Sequence, residues 1–207
     1  MRNSVRRSFA TILLVGTFAG CGHESVTRAP SAAGAPATPG SPTSTPAAVS
    51  DAPPEMAPAP YTTEQLRDAN RPGTLYRYKL EMAGEPAQIK VMEFTSGTSA
   101  EIAELKSVTF DEAGKTKSPP EVERTPWEKI RRHGEFPRAG LKVEPGSIEV
   151  PAGKFDAMVY TVSAPNGETA KFYFAKSYAG PPVLVSKERA GARLMTMTLI
   201  ERKFAAP

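Results

Sequence analysis

The chain is poor in the residues that most often carry chemistry. It holds one cysteine and two histidines in 207 residues. A lone cysteine cannot close a disulfide within the chain, so any folded part is held by its core. The histidines, His23 and His133, stand too far apart in sequence to form a local metal-binding pair. No Gly-x-Ser-x-Gly and no phosphate-binding loop occurs, and acidic residues are scattered over strand edges and turns. The sequence therefore points away from an enzyme and implies no cofactor and no metal. Long apolar runs are also missing. The stretch Phe9–Ala19 is well short of the ~20 residues that a membrane-spanning helix needs. Positive charge is scarcer than it looks: three of the 26 basic residues (Arg2, Arg6 and Arg7) lie in the first twenty positions. Without them 23 bases face 22 acids. That near balance, with no basic tail and no recognition motif, excludes nucleic acid as a partner.

What the N-terminus does have is order. The three arginines precede the short apolar run, which closes in Phe18-Ala19-Gly20-Cys21. A basic start, an apolar middle and small residues at the end form the layout of a secretory signal peptide. Small residues followed directly by cysteine resemble the lipobox of bacterial lipoproteins. The resemblance implies that the signal (1–20) is removed, that Cys21 becomes the N-terminus and that its thiol and amine are acylated. One acyl chain holds a protein on a membrane only marginally, whereas the several implied here hold it firmly. Gly22 stands where enterobacterial lipoproteins retained at the inner membrane carry aspartate, so the resemblance favours the outer membrane.

Residues 21–60 form the lipidated end and a tether. Residues 22–60 contain nine prolines and no Phe, Tyr or Trp, too little apolar surface to offset chain entropy, and are expected to be disordered. Residues 61–207 have the composition of one β-rich globular domain. Thr62 and Gln65 make a capping box for a short helix that Asn70-Arg71-Pro72-Gly73 stops. Leu75–Met82 alternates as a strand. In Gln88–Phe94 the apolar phase changes between Ile89/Val91 and Met92/Phe94, which suggests a bulge or a poorly registered edge. Residues 101–110 read as a strand running into a turn at Asp111–Lys115. Thr125-Pro126-Trp127-Glu128 reads as a helix start with Thr125 as the cap, and His133 ends that helix, where a partly positive ring suits the dipole. Val143–Ser147 reads as a type II turn with Gly146 at positive φ. Strands at 155–163, 168–175, 183–187 and 194–202 follow at hairpin spacing. The expected fold is α+β and β-dominated: a curved antiparallel sheet or half-barrel with one or two short helices.

Two surfaces stand out. Tyr76, Tyr78, Met158, Tyr160, Phe172, Phe174, Met195 and Met197 fall in phase on several strands. They form either the core or, if the sheet stays open, a groove for a hydrophobic ligand. Lys129, Arg131, Arg132 and Arg138 cluster around the second helix. They form either a solvated helix end or a patch for an anionic envelope polymer. The domain is also loosely similar in expected shape to the lipoprotein carriers LolA and LolB, with no shared motif. Taken together, the sequence leads us to expect an exported, membrane-anchored lipoprotein. Its role would be non-catalytic binding or scaffolding towards an envelope protein, polymer or lipid; carriage of a hydrophobic ligand is the alternative.

Overall fold

Period-two alternation of apolar side chains dictates strands, and strands dominate the computed structural model, which describes residues 55–205. The expected signal peptide, Cys21 and most of the expected tether lie outside the described residues. In chain order the elements are β1 (Met56–Ala57), α1 (Thr63–Ala69), β2 (Leu75–Met82), β3 (Gln88–Phe94), β4 (Ile102–Asp111), β5 (Glu121–Pro126) and α2 (Trp127–Arg132). After these come β6 (Phe136–Pro137), β7 (Leu141–Val150), β8 (Gly153–Ser163), β9 (Glu168–Ala175), β10 (Leu184–Arg189) and β11 (Ala192–Lys203). Nine strands form one antiparallel sheet in the order β5-β4-β3-β2-β11-β10-β9-β8-β7. The sheet is curved: β7 comes close to β11 although β8, β9 and β10 lie between them in the pairing order. Among the described residues no helix is long and apolar enough to cross a membrane.

This strand order decides where the core sits. β5 and β7 are the two edges, so the segment joining them must cross the whole sheet. It does so over one face and carries α2 and β6 with it. Trp127 stacks on Phe94 at 5.6 Å between ring centroids, and its indole N–H donates to the Ser99 carbonyl (3.0 Å). Phe136 packs on Phe172 (4.8 Å) and Tyr160 (5.7 Å). β6 also pairs with β1, so residues 56–57, assigned to the tether from composition, belong to the fold. The Glu55–Arg138 ion pair (2.9 Å) closes the same junction.

The capping box of α1 is formed as the sequence implies. Thr62 Oγ1 accepts from the Gln65 N–H (3.2 Å), and Gln65 Oε1 accepts from the Thr62 N–H (2.9 Å). Three sequence expectations are corrected. Thr125 does not cap α2. It is a buried residue of β5 whose hydroxyl donates to Glu123 (2.7 Å), and Pro126 occupies the cap position without a side-chain bond. Val143–Ser147 is not a turn but the middle of β7. Pro145 is tolerated there because β7 is an edge strand, where a missing N–H breaks no ladder. Gly146 is needed for closeness and not for positive φ: a Cβ on it would lie 2.8 Å from Val159 Cγ2. Finally, β3 has no register shift against β2 or β4. Its apparent phase change reflects a central strand with apolar residues on both faces, Met92 and Phe94 inward and Ile89 and Val91 outward.

Candidate functional site

The register places the eight aromatic and methionine residues on one face: Tyr78 opposite Leu199, Leu80 opposite Met197, Tyr160 opposite Phe172 and Met158 opposite Phe174. That face is filled. Tyr76, Tyr78, Tyr160, Phe174 and Met197 are buried, while Met158, Phe172 and Met195 are half-buried. Phe136 sits against Tyr160 and Phe172, and Tyr61 meets Phe174 edge-on at 6.0 Å. The residues spend their surface on one another and on the crossing segment, which is the behaviour of core.

The basic cluster is largely neutralised. Arg131 holds Glu128 and Glu135 (2.8 Å each), Arg132 holds Glu128 (3.2 Å) and Arg138 holds Glu55. The bonds from Arg131 first, then from the Thr63 hydroxyl and Arg132, bring the Glu128 carboxyl down to about 2. Lys129 alone of the four has no ion-pair partner among the described residues. His133 does end α2, but the sequence-based expectation of a partly positive ring is corrected. Burial first, and Lys129 second, push its pKa down, and its buried Nδ1 meets no hydrogen-bond partner among the described residues. Among those residues no three His, Cys, Asp or Glu side chains group closely enough to hold a metal ion.

A different constellation occupies one end of the covered face, where α1, β2, β11 and the β9–β10 loop meet. Asn70, just past α1, is 1% exposed and is tied on three sides. Its Nδ2 donates to the carbonyls of Leu66 (2.6 Å) and Ala179 (3.1 Å), and its Oδ1 accepts from the Tyr76 hydroxyl (2.5 Å). Tyr78 donates to Pro182 O (3.1 Å) and Tyr61 to Ala175 O (2.6 Å). The loop lies so close that a Cβ on Gly180 would meet Tyr76 Oη at 2.7 Å. Burial pushes the phenols of Tyr61, Tyr76, Tyr78 and Tyr178 up, Tyr76 to about 12. All four stay protonated at neutral pH, and Tyr61, Tyr76 and Tyr78 act as donors.

Arg202 projects into this cluster. Its guanidinium carbon lies 3.6 Å from the Tyr178 ring centroid and 3.7 Å from that of Phe204, with the Tyr76 ring at 5.5 Å. Two rings so near one planar group can only take its two faces, which is favourable cation–π geometry. The Tyr76 hydroxyl, which donates to Asn70, lies near the guanidinium, yet the buried Arg202 Nε and Nη2 make no hydrogen bond of good geometry among the described residues, and neither does the buried Tyr178 hydroxyl. Sequence reasoning missed Arg202 because strict alternation puts it out of phase with Met195, Met197 and Leu199. A bulge between Leu199 and Glu201 inserts Ile200 and turns Arg202 onto the face of Tyr76. Tyr178 lies between the strands expected at 168–175 and 183–187, and a one-dimensional pattern carries no signal that this loop folds back onto the sheet.

No protein-family model matches the chain, and a search of curated proteins finds no match. Solved structures give a partial likeness. MucB in complex with MucA(peri) aligns at 9% identity and a TM-score of 0.48, over 69% of this chain and 54% of that one. The MucA/MucB complex of Pseudomonas aeruginosa aligns at 11% and 0.47, over 70% and 56%. A structure of MucB gives 12% and 0.43, over 70% and 58%. The chain thus spans little more than half the length of these structures, and likeness at this level carries no functional argument.

Proposed function

We infer that this chain is a lipid-anchored envelope protein whose β-domain is a non-catalytic binding or scaffolding module held off the membrane by its proline-rich tether. The address rests on the basic start, the short apolar run and Ala19-Gly20-Cys21. The binding role rests on one observation above all, the cluster around Arg202. Its groups are a guanidinium and the Tyr178 hydroxyl, with buried donors left unmet between aromatic rings. Such groups recognise acceptors. Proton transfer would call for a group poised near neutral pH.

The experiment is expression in a Gram-negative host with labelled palmitate, comparing the natural chain with Cys21→Ser. The natural chain is expected to take up label and to sediment with membranes, and the variant to lose both. A variant that still sediments and still carries label would overturn the anchoring assignment.

A further inference from the structure

We propose that the Arg202 cluster is a docking site for a carboxylate presented by a protein partner. The inference deepens the binding role above and rests on it. Nε and Nη2 form the side edge of the guanidinium, where two N–H bonds point in parallel and match the two oxygens of a carboxylate. Both atoms are buried, and neither makes a hydrogen bond of good geometry among the described residues. A cationic fork shut away from water with its donors unmet is costly unless something completes it.

The walls select the shape of what completes it. Tyr178 and Phe204 cover the two faces of the guanidinium at 3.6 and 3.7 Å. A ligand must therefore arrive in the guanidinium plane. A carboxylate is flat, and both of its oxygens lie in that plane to meet the two N–H groups. Tyr178 adds a buried hydroxyl without a partner, so a third donor belongs to the same wall. The other wall is displaceable. Phe204 is 68% exposed and lies just beyond the end of β11, held chiefly by its stack on Arg202. Tyr178, by contrast, is fixed by the neighbouring ring of Phe155 (6.0 Å) and by the Asn70–Ala179 bond. Phe204 is thus a flap on one face of the guanidinium, beside the fork, that swings aside as a partner reaches the N–H edge.

The test is a titration of the full-length chain, carried as Cys21→Ser to keep it free of lipid, followed by nuclear magnetic resonance of the arginine Nε–Hε groups. The Arg202 signal is assigned by its loss in Arg202→Lys. The probes are N-acetyl-phenylalanine for a terminal carboxylate, N-acetyl-isoglutamine for a side-chain carboxylate, and N-acetyl-phenylalaninamide and inorganic phosphate as controls. The expected result is a saturable downfield shift of the Arg202 Hε with one or both carboxylates and none with the controls. Phe204→Ala is expected to tighten the response severalfold, because no flap remains to be displaced. Whichever carboxylate saturates first identifies the source, a chain terminus or an acidic side chain. An Arg202 signal that stays put with both carboxylates, in the natural chain and in Phe204→Ala alike, would overturn the proposal, and so would an equal response to phosphate. The titration does not depend on acylation, so it can fail while the anchor stands, and the reverse.

Discussion

Asn70→Ala is the substitution that most sharply tests how the domain is held together. The side chain is buried and makes three hydrogen bonds that join the end of α1, β2 and the β9–β10 loop. The Asn70 backbone N–H turns to Arg67 O (3.3 Å) and not to Leu66 O, so Nδ2 takes over the Leu66 carbonyl at the helix end. Alanine removes all of this and leaves the Tyr76 hydroxyl buried without an acceptor, along with two carbonyls. An orphaned buried group costs roughly 1–3 kcal/mol. With partial relaxation of the loop, the expected loss is about 3 kcal/mol. For a domain of this size that lowers Tm by roughly 6–12 °C. Tyr76→Phe removes only one of the bonds and is expected to cost about 1–2 kcal/mol. The two losses should not add, because each variant orphans the other's group, so the double variant is expected to fall well short of the sum. Urea unfolding followed by the fluorescence of Trp127 measures all three. An Asn70→Ala variant within about 0.5 kcal/mol of the natural protein, the range of a neutral surface change, would refute the network as a structural tie.

Phe136→Ala empties the ring that covers Tyr160 and Phe172 and is expected to cost about 3–5 kcal/mol in the same assay; a loss below about 1 kcal/mol would show that β6 does not seal the sheet. The buried tyrosines predict the alkaline limit of the fold. Their phenols ionise near 10 once unfolded but are held higher when folded, Tyr76 up to about 12, so the folded state binds the proton more tightly. Stability is full below pH 10 and falls as pH rises from there towards 12, which a Tm series across that window reads directly; a flat profile would contradict the burial. Lys90 faces inward on β3, and burial pushes its pKa down. Lys90→Met is expected to raise Tm by replacing a desolvated charge with an apolar chain of similar length, and a lowered Tm would show that Glu121 and Glu123 compensate it.

Legibility in the sequence followed the physics of each element. β2 could be read because Tyr76, Tyr78 and Leu80 are buried and Arg77 and Glu81 exposed, the half-buried pattern that alternation reports. The hairpins around Asn166-Gly167 and Ala190-Gly191 could be read because their turns need residues at positive φ. β5 escaped notice because five of its six residues are exposed at the edge, so Glu121-Val122-Glu123-Arg124 shows no apolar rhythm. The middle of β7, Val143–Ser147, reads as a turn because Pro145-Gly146 carries turn chemistry, which an edge strand also tolerates. The phase of the aromatic and methionine residues did place them on one face. Whether that face was open depended on Phe136 and Trp127 crossing over it, which follows from strand order and not from local pattern. Arg202 was hidden for the same kind of reason, since a single inserted residue in β11 reverses which way every later side chain points.

The central claim, a lipid-anchored module on a tether, is tested most directly by the intact mass and N-terminal peptide of the chain purified from the membranes of a bacterial host. The expected species has lost residues 1–20 and begins at an acylated Cys21, with a mass increment of a diacylglyceryl group and a further acyl chain. An unmodified Cys21, whether in the uncut 207-residue chain or in a chain cleaved at another position, would contradict it.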